Sequence, residues 1–279
     1  FKILKKNIDK KTVTSFGDEW SRFNQEDMNE LEKRKIFDDY FSIFPMNVLS
    51  ADAVGFDMGC GSGRWSKFVA PKVKLLNCID PSEAIDIAQE NLKEHKNINY
   101  FKSSVDDQCL QSNSQDFGYS LGVLHHIPDT QAAILSCVEF LKPGAPILFY
   151  LYYAFDDRPF WFKTLWKISN LLRIIISKLP SKAKHLVTDM IALLVYLPLA
   201  RLSKVISYMN LNYSNVPLSY YKNNSFYTMR TDSRDRFGTP LEQRFSKYQI
   251  KLMLENAGLI NITFSNEAPF WCVLGYKKI

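Results

Sequence analysis

One glycine-rich segment constrains the fold of this chain more than any other feature: residues 54–65, VGFDMGCGSGRW. A short apolar run reaches Asp57, and three alternate glycines follow it before a helix-like segment begins. Glycine lets the backbone turn sharply and lets a ligand approach it closely. The segment therefore predicts a β-strand, a tight turn and a helix N-terminus, with a nucleotide-like ligand at the turn.

The spacing of these glycines narrows the choice of ligand. A dinucleotide-binding turn has the pattern G-x-G-x-x-G, with the diphosphate at the helix N-terminus. Here the pattern is G-x-G-x-G, and Asp57 stands just before it. A carboxylate there favours a ligand with a positive end over a diphosphate, and S-adenosylmethionine carries both a sulfonium and an ammonium. The alternative is an ordinary strand-to-helix turn.

More strands are predicted downstream, and polar residues follow them. The run 75–80 ends at Asp80, 23 residues after Asp57, which is about the spacing at which an acid reaches a ribose diol. Ser82 is a candidate N-cap for a helix through Glu94. Strands are predicted over 98–102, 116–121 and 147–152, with a helix over 130–141.

These elements resemble the class I S-adenosylmethionine-dependent methyltransferases, in the group that includes the ubiquinone and menaquinone methyltransferases. The matching motifs are 57–63 (DMGCGSG), Asp80, 124–129 (LHHIPD) and 141–144 (LKPG). They lie within roughly residues 50–152, with a further matching piece near the C-terminus. The resemblance implies an α/β fold with a Rossmann-like seven-stranded sheet, mostly parallel with an antiparallel C-terminal hairpin.

The resemblance also implies which residues bind S-adenosylmethionine. Asp57 and the turn hold its methionine part, Asp80 and Pro81 its ribose, and residues 104–106 its adenine, while Leu121 and Gly122 form the floor. The family often has an acid where Ser104 stands, so either the Ser104 hydroxyl or Asp106 accepts from the adenine amino group. The cofactor-binding residues are predicted to be Asp57, Gly59, Cys60, Gly61, Gly63, Asp80, Pro81, Ser104, Val105, Asp106, Leu121 and Gly122.

Four regions are predicted: an N-terminal helical arm (1–50), the cofactor-binding core (51–152), a helical cap insertion (153–245) and a C-terminal helix and hairpin that complete the sheet (246–279). In the arm, Phe16 and Trp20 are candidates to cover the cofactor mouth, and Trp20 to contact the substrate. Alternatively they pin the arm to the core. Insertions after strand four or five lie above the carboxyl ends of the strands, so the cap is expected to build the acceptor pocket.

The insertion carries the basic excess of the chain. Residues 151–210 hold nine Lys or Arg and three Asp, a difference of +6 that equals the formal charge of the whole sequence. On a predicted helix over 160–178, one face carries Lys163, Lys167, Asn170, Arg173 and Ser177. The prediction is a cap helix with a solvated basic face. The alternative is peripheral contact with an anionic membrane surface, and nucleic acid is the less favoured partner.

A second helix is predicted over 182–208. Its apolar stretch 190–200 is short for a bilayer and contains Pro198, which is expected to interrupt it, so no transmembrane segment is predicted.

The segment 217–238 is dense in Tyr, Arg and Asp, and is interpreted as a loop. Either it is a surface loop with ion pairs, or it lines the acceptor pocket, where tyrosines stack on rings and arginines bind carboxylate or phosphate. The candidate substrate-binding residues there are Tyr220, Tyr221, Tyr227, Arg230 and Arg236.

Methyl transfer to a hydroxyl benefits from a general base. His126 and His125 are candidates because they follow the fourth predicted strand, although holding the loop by hydrogen bonds is an equally good role for them. Tyr227, Asp156 and Asp157 are further candidates.

The predicted activity is O-methylation of a small polar, glycosylated or lipid-linked molecule. N- or C-methylation of a similar molecule, or a non-catalytic module that binds S-adenosylmethionine, are the alternatives. Five cysteines without a C-x-x-C pair indicate a reduced, cytoplasmic protein, and no metal site is expected.

Overall fold

A computed structural model describes residues 6–25, 27–156, 158–213 and 215–279. Asp157, one of the candidate bases, and the first five residues of the predicted arm lie outside these ranges. The chain divides into two compact units. The first comprises the chain up to Asn24, Arg34–Ala154 and Leu241–Ile279, and the second comprises Gln25–Lys33 and Phe155–Pro240.

In the described part of the chain, a seven-stranded sheet forms the centre of the first unit. Its strand order is β3-β2-β1-β4-β5-β7-β6. The first five strands are parallel, and β7 runs antiparallel to both β5 and β6, which confirms the predicted mixed sheet with a C-terminal hairpin. The strands are β1 Val54–Met58, β2 Leu75–Ile79, β3 Ile98–Phe101, β4 Phe117–Leu121, β5 Pro146–Tyr150, β6 Leu259–Phe264 and β7 Cys272–Lys277.

The helices of the first unit begin at residues whose side chains cap them. Asp9 accepts from the Thr12 backbone N–H, and Ser246 forms a capping box with Gln249. The predicted N-cap Ser82 is one residue early, because the helix begins at Ala84 with Glu83 as its N-cap. The Ser82 hydroxyl donates to Asp80 and accepts from the Ala84 backbone N–H. These helices are α1 Lys10–Arg22, α3 Ser66–Val69, α4 Ala84–Asn91, α5 Thr130–Phe140 and α10 Lys247–Asn256. Helix α2 runs over Glu30–Tyr40.

The core of the first unit packs one face of the sheet against α5 and α10. Phe56 and Ile147 from the sheet are fully buried there, together with Ile134 of α5 and Leu254 of α10. Strands buried on both faces have nearly continuous apolar runs, and the β4 residues are buried throughout. This packing holds the carboxyl ends of the parallel strands at a single edge.

The second unit is helical in its described part. It contains α6 Phe160–Ile176, α7 Ser181–Ile191, α8 Leu197–Tyr208, α9 Phe226–Gly238 and a short 3-10 helix, Ser219–Asn223. A π-helical turn, Ala192–Tyr196, joins α7 to α8, so the helix continues through Pro198. The predicted helix over 182–208 is confirmed, and Pro198 lies at the start of α8, where its missing N–H is tolerated.

The continuous helix Ser181–Tyr208 has 28 residues and a mean hydropathy of 1.6 in its most apolar window. By length and composition alone it is long and apolar enough to cross a membrane, although the sequence predicts no such segment. It is the one helix in the described residues with that property.

Two predictions for this unit are wrong. The polar face of α6 is not solvated as a whole: Arg173 and Ser177 are buried and Asn170 is half-buried, while Lys167 is exposed. The segment 217–238 is not a loop, because most of it forms α9, which Ser225 caps by accepting from the Thr228 backbone N–H. A helix that is polar all round has no apolar periodicity, so the sequence pattern misses it.

Candidate functional site

The glycine turn is fastened to the end of β2 by its own backbone. Gly59 and Cys60 donate their backbone N–H groups to the Ile79 carbonyl, at 2.7 and 3.1 Å. Gly59 has φ +80°, and a Cβ there would lie 2.4 Å from the Val123 side chain. Glycine is therefore required at this position both for the backbone conformation and for the close approach of the β4 loop.

Asp57 is fully buried at the end of β1. The Ser66 hydroxyl donates to its Oδ2 at 2.6 Å, while its Oδ1 has no hydrogen-bond partner among the described residues. Burial raises the pKa of Asp57 to about 7, against the opposing effect of the Ser66 hydrogen bond. An unpartnered buried carboxylate oxygen is costly, so the site is suited to a cationic or hydrogen-bond-donating ligand.

Asp80 connects β2 to the glycine turn. Its Oδ2 accepts from the Gly61 backbone N–H at 3.0 Å, and its Oδ1 accepts from the backbone and hydroxyl of Ser82, at 2.9 and 2.6 Å. Burial raises the pKa of Asp80, and these three hydrogen bonds oppose that shift. The carboxylate is therefore held in one orientation, and Pro81 follows it directly at the entrance to α4.

The predicted adenine-binding residues lie together after β3. Ser104 donates its hydroxyl to Asp106, and the Asn7 backbone N–H donates to the other Asp106 oxygen at 2.9 Å. Partial burial raises the pKa of Asp106, but the hydrogen bonds from Ser104 and Asn7 outweigh it, so the pKa lies below its ordinary value. Ser104 and Asp106, the two candidates to accept from the adenine amino group, therefore lie next to each other. Val105 packs into the core.

Helix α1 lies along the carboxyl ends of the strands. A Cβ at Gly61 would be 3.0 Å from Nε1 of Trp20, so the indole contacts the glycine turn. Four residues earlier, the Phe16 ring meets the His126 ring edge to face, with centroids 5.0 Å apart. Trp20 and Phe16 therefore both contact predicted site residues, an arrangement that fits either interpretation of the arm.

The histidine pair follows β4, on a single 3-10 turn, Leu124–His126. Nδ1 of His126 lies 2.6 Å from the Leu241 carbonyl oxygen. Because a carbonyl only accepts, Nδ1 carries the proton, and a neutral His126 ring holds its lone pair on Nε2.

His125 differs from its neighbour. It is fully buried, and neither ring nitrogen has a hydrogen-bond partner among the described residues. Burial lowers the pKa of His125 well below its usual range, so the ring is neutral.

The floor of the predicted site is the end of β4. Leu121 is buried there, and Gly122 has φ +81° and donates its backbone N–H to the Tyr150 carbonyl at 3.1 Å. Cys60 and Gly63 complete the turn above it: Gly63 donates its backbone N–H to the Cys60 carbonyl at 2.9 Å.

An aromatic and charged group beside the histidines is absent from the sequence-based prediction. The Tyr152 ring stacks on His125 with centroids 3.8 Å apart, and the Arg244 guanidinium lies 5.0 Å from the Tyr152 centroid. Nε of Arg244 donates to Glu242 at 2.8 Å. The aromatic run at the end of β5 could have indicated that Tyr152 belongs to the site. Glu242 and Arg244 could not be found in this way, because they are remote in sequence and lie in no motif.

The candidate residues of the second unit are all held within that unit. Arg230 makes a two-pronged ion pair with Asp189, at 3.0 Å for both contacts. The Tyr227 hydroxyl accepts from the Gln25 backbone N–H at 3.0 Å. Arg236 donates to the Ser169 hydroxyl at 3.2 Å, and the Tyr220 and Tyr221 rings meet edge to face. These contacts give each residue a structural role within the unit, and their role in substrate binding stays a prediction.

The residues of the first unit fit S-adenosylmethionine. The unpartnered Asp57 oxygen suits an ammonium, and Asp80 has a fixed carboxylate for a ribose diol. Among the described residues, no group of three His, Cys, Asp or Glu is placed to hold a metal ion.

Comparison with known proteins agrees with this geometry. Residues 56–149 match the family described as a methyltransferase domain. The ubiquinone biosynthesis O-methyltransferase of Coxiella burnetii is 30% identical over 95 residues, which are 33% of this chain and 41% of that protein. The enzyme of the same name from Vibrio atlanticus is 24% identical over 154 residues, 51% of this chain and 62% of that protein. The chain thus spans about two fifths of the length of the first of these relatives.

Solved structures show the same fold at low identity. An O-methyltransferase family protein from Burkholderia thailandensis has a TM-score of 0.52 at 12% identity, covering 88% of this chain and 56% of its own. A SAM-dependent methyltransferase from Thermotoga maritima has a TM-score of 0.50 at 12% identity, covering 94% and 99%. S-adenosylmethionine is the cofactor of proteins with this domain. The chain therefore contains a methyltransferase domain over residues 56–149, within a fold that it shares with S-adenosylmethionine-dependent methyltransferases.

Proposed function

We propose that this protein transfers a methyl group from S-adenosylmethionine to a hydroxyl oxygen of a small molecule. The observation that carries the proposal is the joint placement of Asp57, the glycine turn and Asp80, with one buried Asp57 oxygen left for a ligand. When bound, the cofactor supplies an electrophilic methyl on a sulfonium. Burial of carboxylates is unfavourable, so two of them at adjacent strand ends are not expected in a turn that binds no ligand.

The residues of the first unit divide the work of binding and alignment. Asp57 pairs with the ammonium end of the cofactor, and Asp80 accepts from the ribose hydroxyls. Trp20 of α1 lies against the glycine turn and excludes water from it. Methyl transfer is an in-line displacement, so most of the catalytic effect comes from alignment of the two reactants.

His126 is the proposed general base. Its Nδ1–H is committed to the Leu241 carbonyl, which fixes the ring and leaves the lone pair on Nε2 to take a proton from the acceptor hydroxyl. His125 stacks on Tyr152 and is neutral, so we assign it the role of holding this loop.

The acceptor is proposed to be a hydroxyl on a small polar or lipid-linked molecule. The relatives named as ubiquinone biosynthesis O-methyltransferases favour a ring hydroxyl of a quinone precursor. The Tyr150 and Tyr152 rings, with centroids 5.6 Å apart, make the surroundings of the histidine pair aromatic, which suits a ring acceptor.

Calorimetric titration with S-adenosylmethionine, S-adenosylhomocysteine and NAD tests the cofactor assignment. We expect binding of the first two and none of NAD, and binding of NAD alone would overturn the proposal. Transfer of labelled methyl to a panel of phenols, amines and carbon acids then tests the acceptor. Labelling of phenols, lost in His126→Gln but kept in His95→Gln, supports O-methylation, whereas labelling of amines alone contradicts it.

A further inference from the structure

Helix α6 exposes many of its apolar side chains and buries its arginine, Arg173. Leu171 and Ile175 are 64% and 63% exposed, and Ile168 is 56% exposed, although each is a strong core-former. Arg173, on the opposite side, is only 6% exposed. A surface helix of a water-soluble domain has the reverse arrangement, because burial of apolar area stabilises the fold.

The helix formed by α7, the π-helical turn and α8 shows the same inversion. Its buried positions include Lys184, Thr188 and Ser203, beside Tyr196 and two alanines. Its exposed positions hold Leu186 at 66% and Leu194 at 63% exposure. These side chains and those of α6 are too many to be the scattered single hydrophobic residues that any soluble protein exposes.

The inward polar groups of α6 and α7 have a structural reason. They donate to the carbonyls at the C-terminal end of α9, where a helix has unsatisfied acceptors. Nη1 of Arg173 donates to the carbonyls of Thr239 and Pro240, at 2.9 and 2.7 Å, and Nζ of Lys184 donates to that of Gly238 at 3.2 Å. The polar face is thereby fixed against α9, and the apolar face is left outside.

The charges in and beside these helices are mostly positive, and those that are exposed beside the apolar face are lysines. Residues 158–210 hold nine Lys or Arg and a single acid, Asp189, which is paired with Arg230. Lys167 on α6 is exposed, as are Lys178 and Lys182 beside the connection between α6 and α7. Exposed aliphatic residues flanked by lysines match the two parts of an anionic bilayer surface, acyl chains and charged headgroups.

We propose that this apolar surface, formed by the outward side chains of α6, α7 and α8, inserts into the interfacial region of an anionic lipid bilayer. The helices lie in the plane of the interface and do not cross it, because Arg173, Lys184 and Asp189 fasten them to α9. The inference is independent of the proposed methyl transfer, since lipid binding requires no cofactor. The alternative occupant of this surface is a second copy of the chain. Nucleic acid is disfavoured, because its phosphates bind basic side chains and make no favourable contact with exposed leucines.

Sedimentation with phosphatidylglycerol vesicles tests the proposal. We expect the full chain to pellet with these vesicles, more weakly with phosphatidylcholine alone, and less at high salt. The triple variant Ile168→Gln, Leu171→Gln, Ile175→Gln is expected to lower the partition coefficient at least tenfold. The matched control changes exposed apolar residues elsewhere, Leu31→Gln and Val48→Gln, which are 82% and 80% exposed, and is expected to bind as the unmodified chain does. Circular dichroism establishes that each variant is folded.

Depth is measured from the fluorescence of Trp161, which is half-exposed at the start of α6. Brominated lipids are expected to quench it when the bromine is near the headgroups, and the quenching to be lost in Trp161→Phe. Two results overturn the proposal: equal vesicle binding by the triple variant and the unmodified chain, or no vesicle binding together with a stable dimer that the triple variant dissociates.

Discussion

The Gly61 backbone N–H donates to Oδ2 of Asp80 at 3.0 Å, and this hydrogen bond connects the glycine turn after β1 to the end of β2. The carboxylate therefore has two tasks, holding the turn and presenting its remaining lone pairs to a ligand. Because burial raises the pKa of Asp80 while three hydrogen bonds oppose the shift, the ionised form depends on these contacts.

Asp80→Asn removes the negative charge and replaces one acceptor oxygen of the carboxylate with an NH2 group, which donates. We expect affinity for S-adenosylmethionine to fall by about 1.5–3 kcal/mol, the usual range for a hydrogen bond to a charged group. Calorimetry measures this change. Asp86→Asn, on the exposed side of α4, is the matched control and is expected to leave the affinity unchanged. Equal affinities of the two variants would refute the ribose assignment.

The raised pKa of Asp57 predicts a pH-dependent stability of the unliganded protein. Its folded pKa is about 7 and its ordinary value is 3.8, so between these pH values the folded chain keeps a proton that the unfolded chain has lost. The stabilising contribution is complete below the ordinary value and is lost as pH rises through the folded pKa. Relative to Asp57→Asn, the free energy of unfolding should fall by at most about 1.4 kcal/mol per pH unit between pH 5 and 7.

Urea unfolding of both proteins across this pH range measures the difference. Parallel pH profiles of the unmodified chain and Asp57→Asn would show that the carboxyl group is already ionised in the folded protein. The asparagine keeps an oxygen for the Ser66 hydroxyl, so this comparison isolates the charge.

Cofactor binding is expected to release a proton from Asp57 below pH 7, because a cation beside the carboxyl group favours its ionised form. Titrations at pH 6 in two buffers with different ionisation enthalpies count the released protons. We expect up to one proton for the unmodified chain and fewer for Asp57→Asn, whereas identical counts would place the cofactor's ammonium away from Asp57.

Substitution of His126 tests the proposed base. His126→Gln removes the group that accepts the proton, and a loss of about 10²–10⁴ in kcat is expected with the cofactor dissociation constant unchanged. His95→Gln, in the connection between α4 and β3, is the matched control. If kcat is unaltered in His126→Gln, the histidine serves only to hold its loop through the Leu241 carbonyl.

Arg173 is expected to stabilise the second unit. Arg173→Met keeps an apolar stem but leaves the carbonyls of Thr239 and Pro240 without their donor, so a destabilisation of about 2–4 kcal/mol is expected. Lys167→Met, on the exposed side of the same helix, should change stability by less than about 0.5 kcal/mol. Thermal or urea unfolding measures the free energy of unfolding of both variants. Equal decreases in the two would show that Arg173 does not cap α9.

Local signals in the sequence were sufficient for the first unit. The glycine spacing and the acids at two strand ends each depend on residues a few positions apart, and the structure has both. Glu242 and Arg244 could not be found in this way, because folding alone brings them beside Tyr152, about ninety residues away in the chain. Helix α9 escaped prediction because it has no apolar stripe.

The sequence by itself determined the mixed sheet, the glycine turn with its two carboxylates and the position of the histidine pair, since short-range spacing and backbone sterics specify them. Only the tertiary structure decided which way the helices of the second unit face. Periodicity locates an apolar stripe and a polar stripe on α6, but either one can turn inward. The C-terminal carbonyls of α9 bind Arg173 and Lys184, and their need for donors turns the polar stripe in and leaves the apolar one outside.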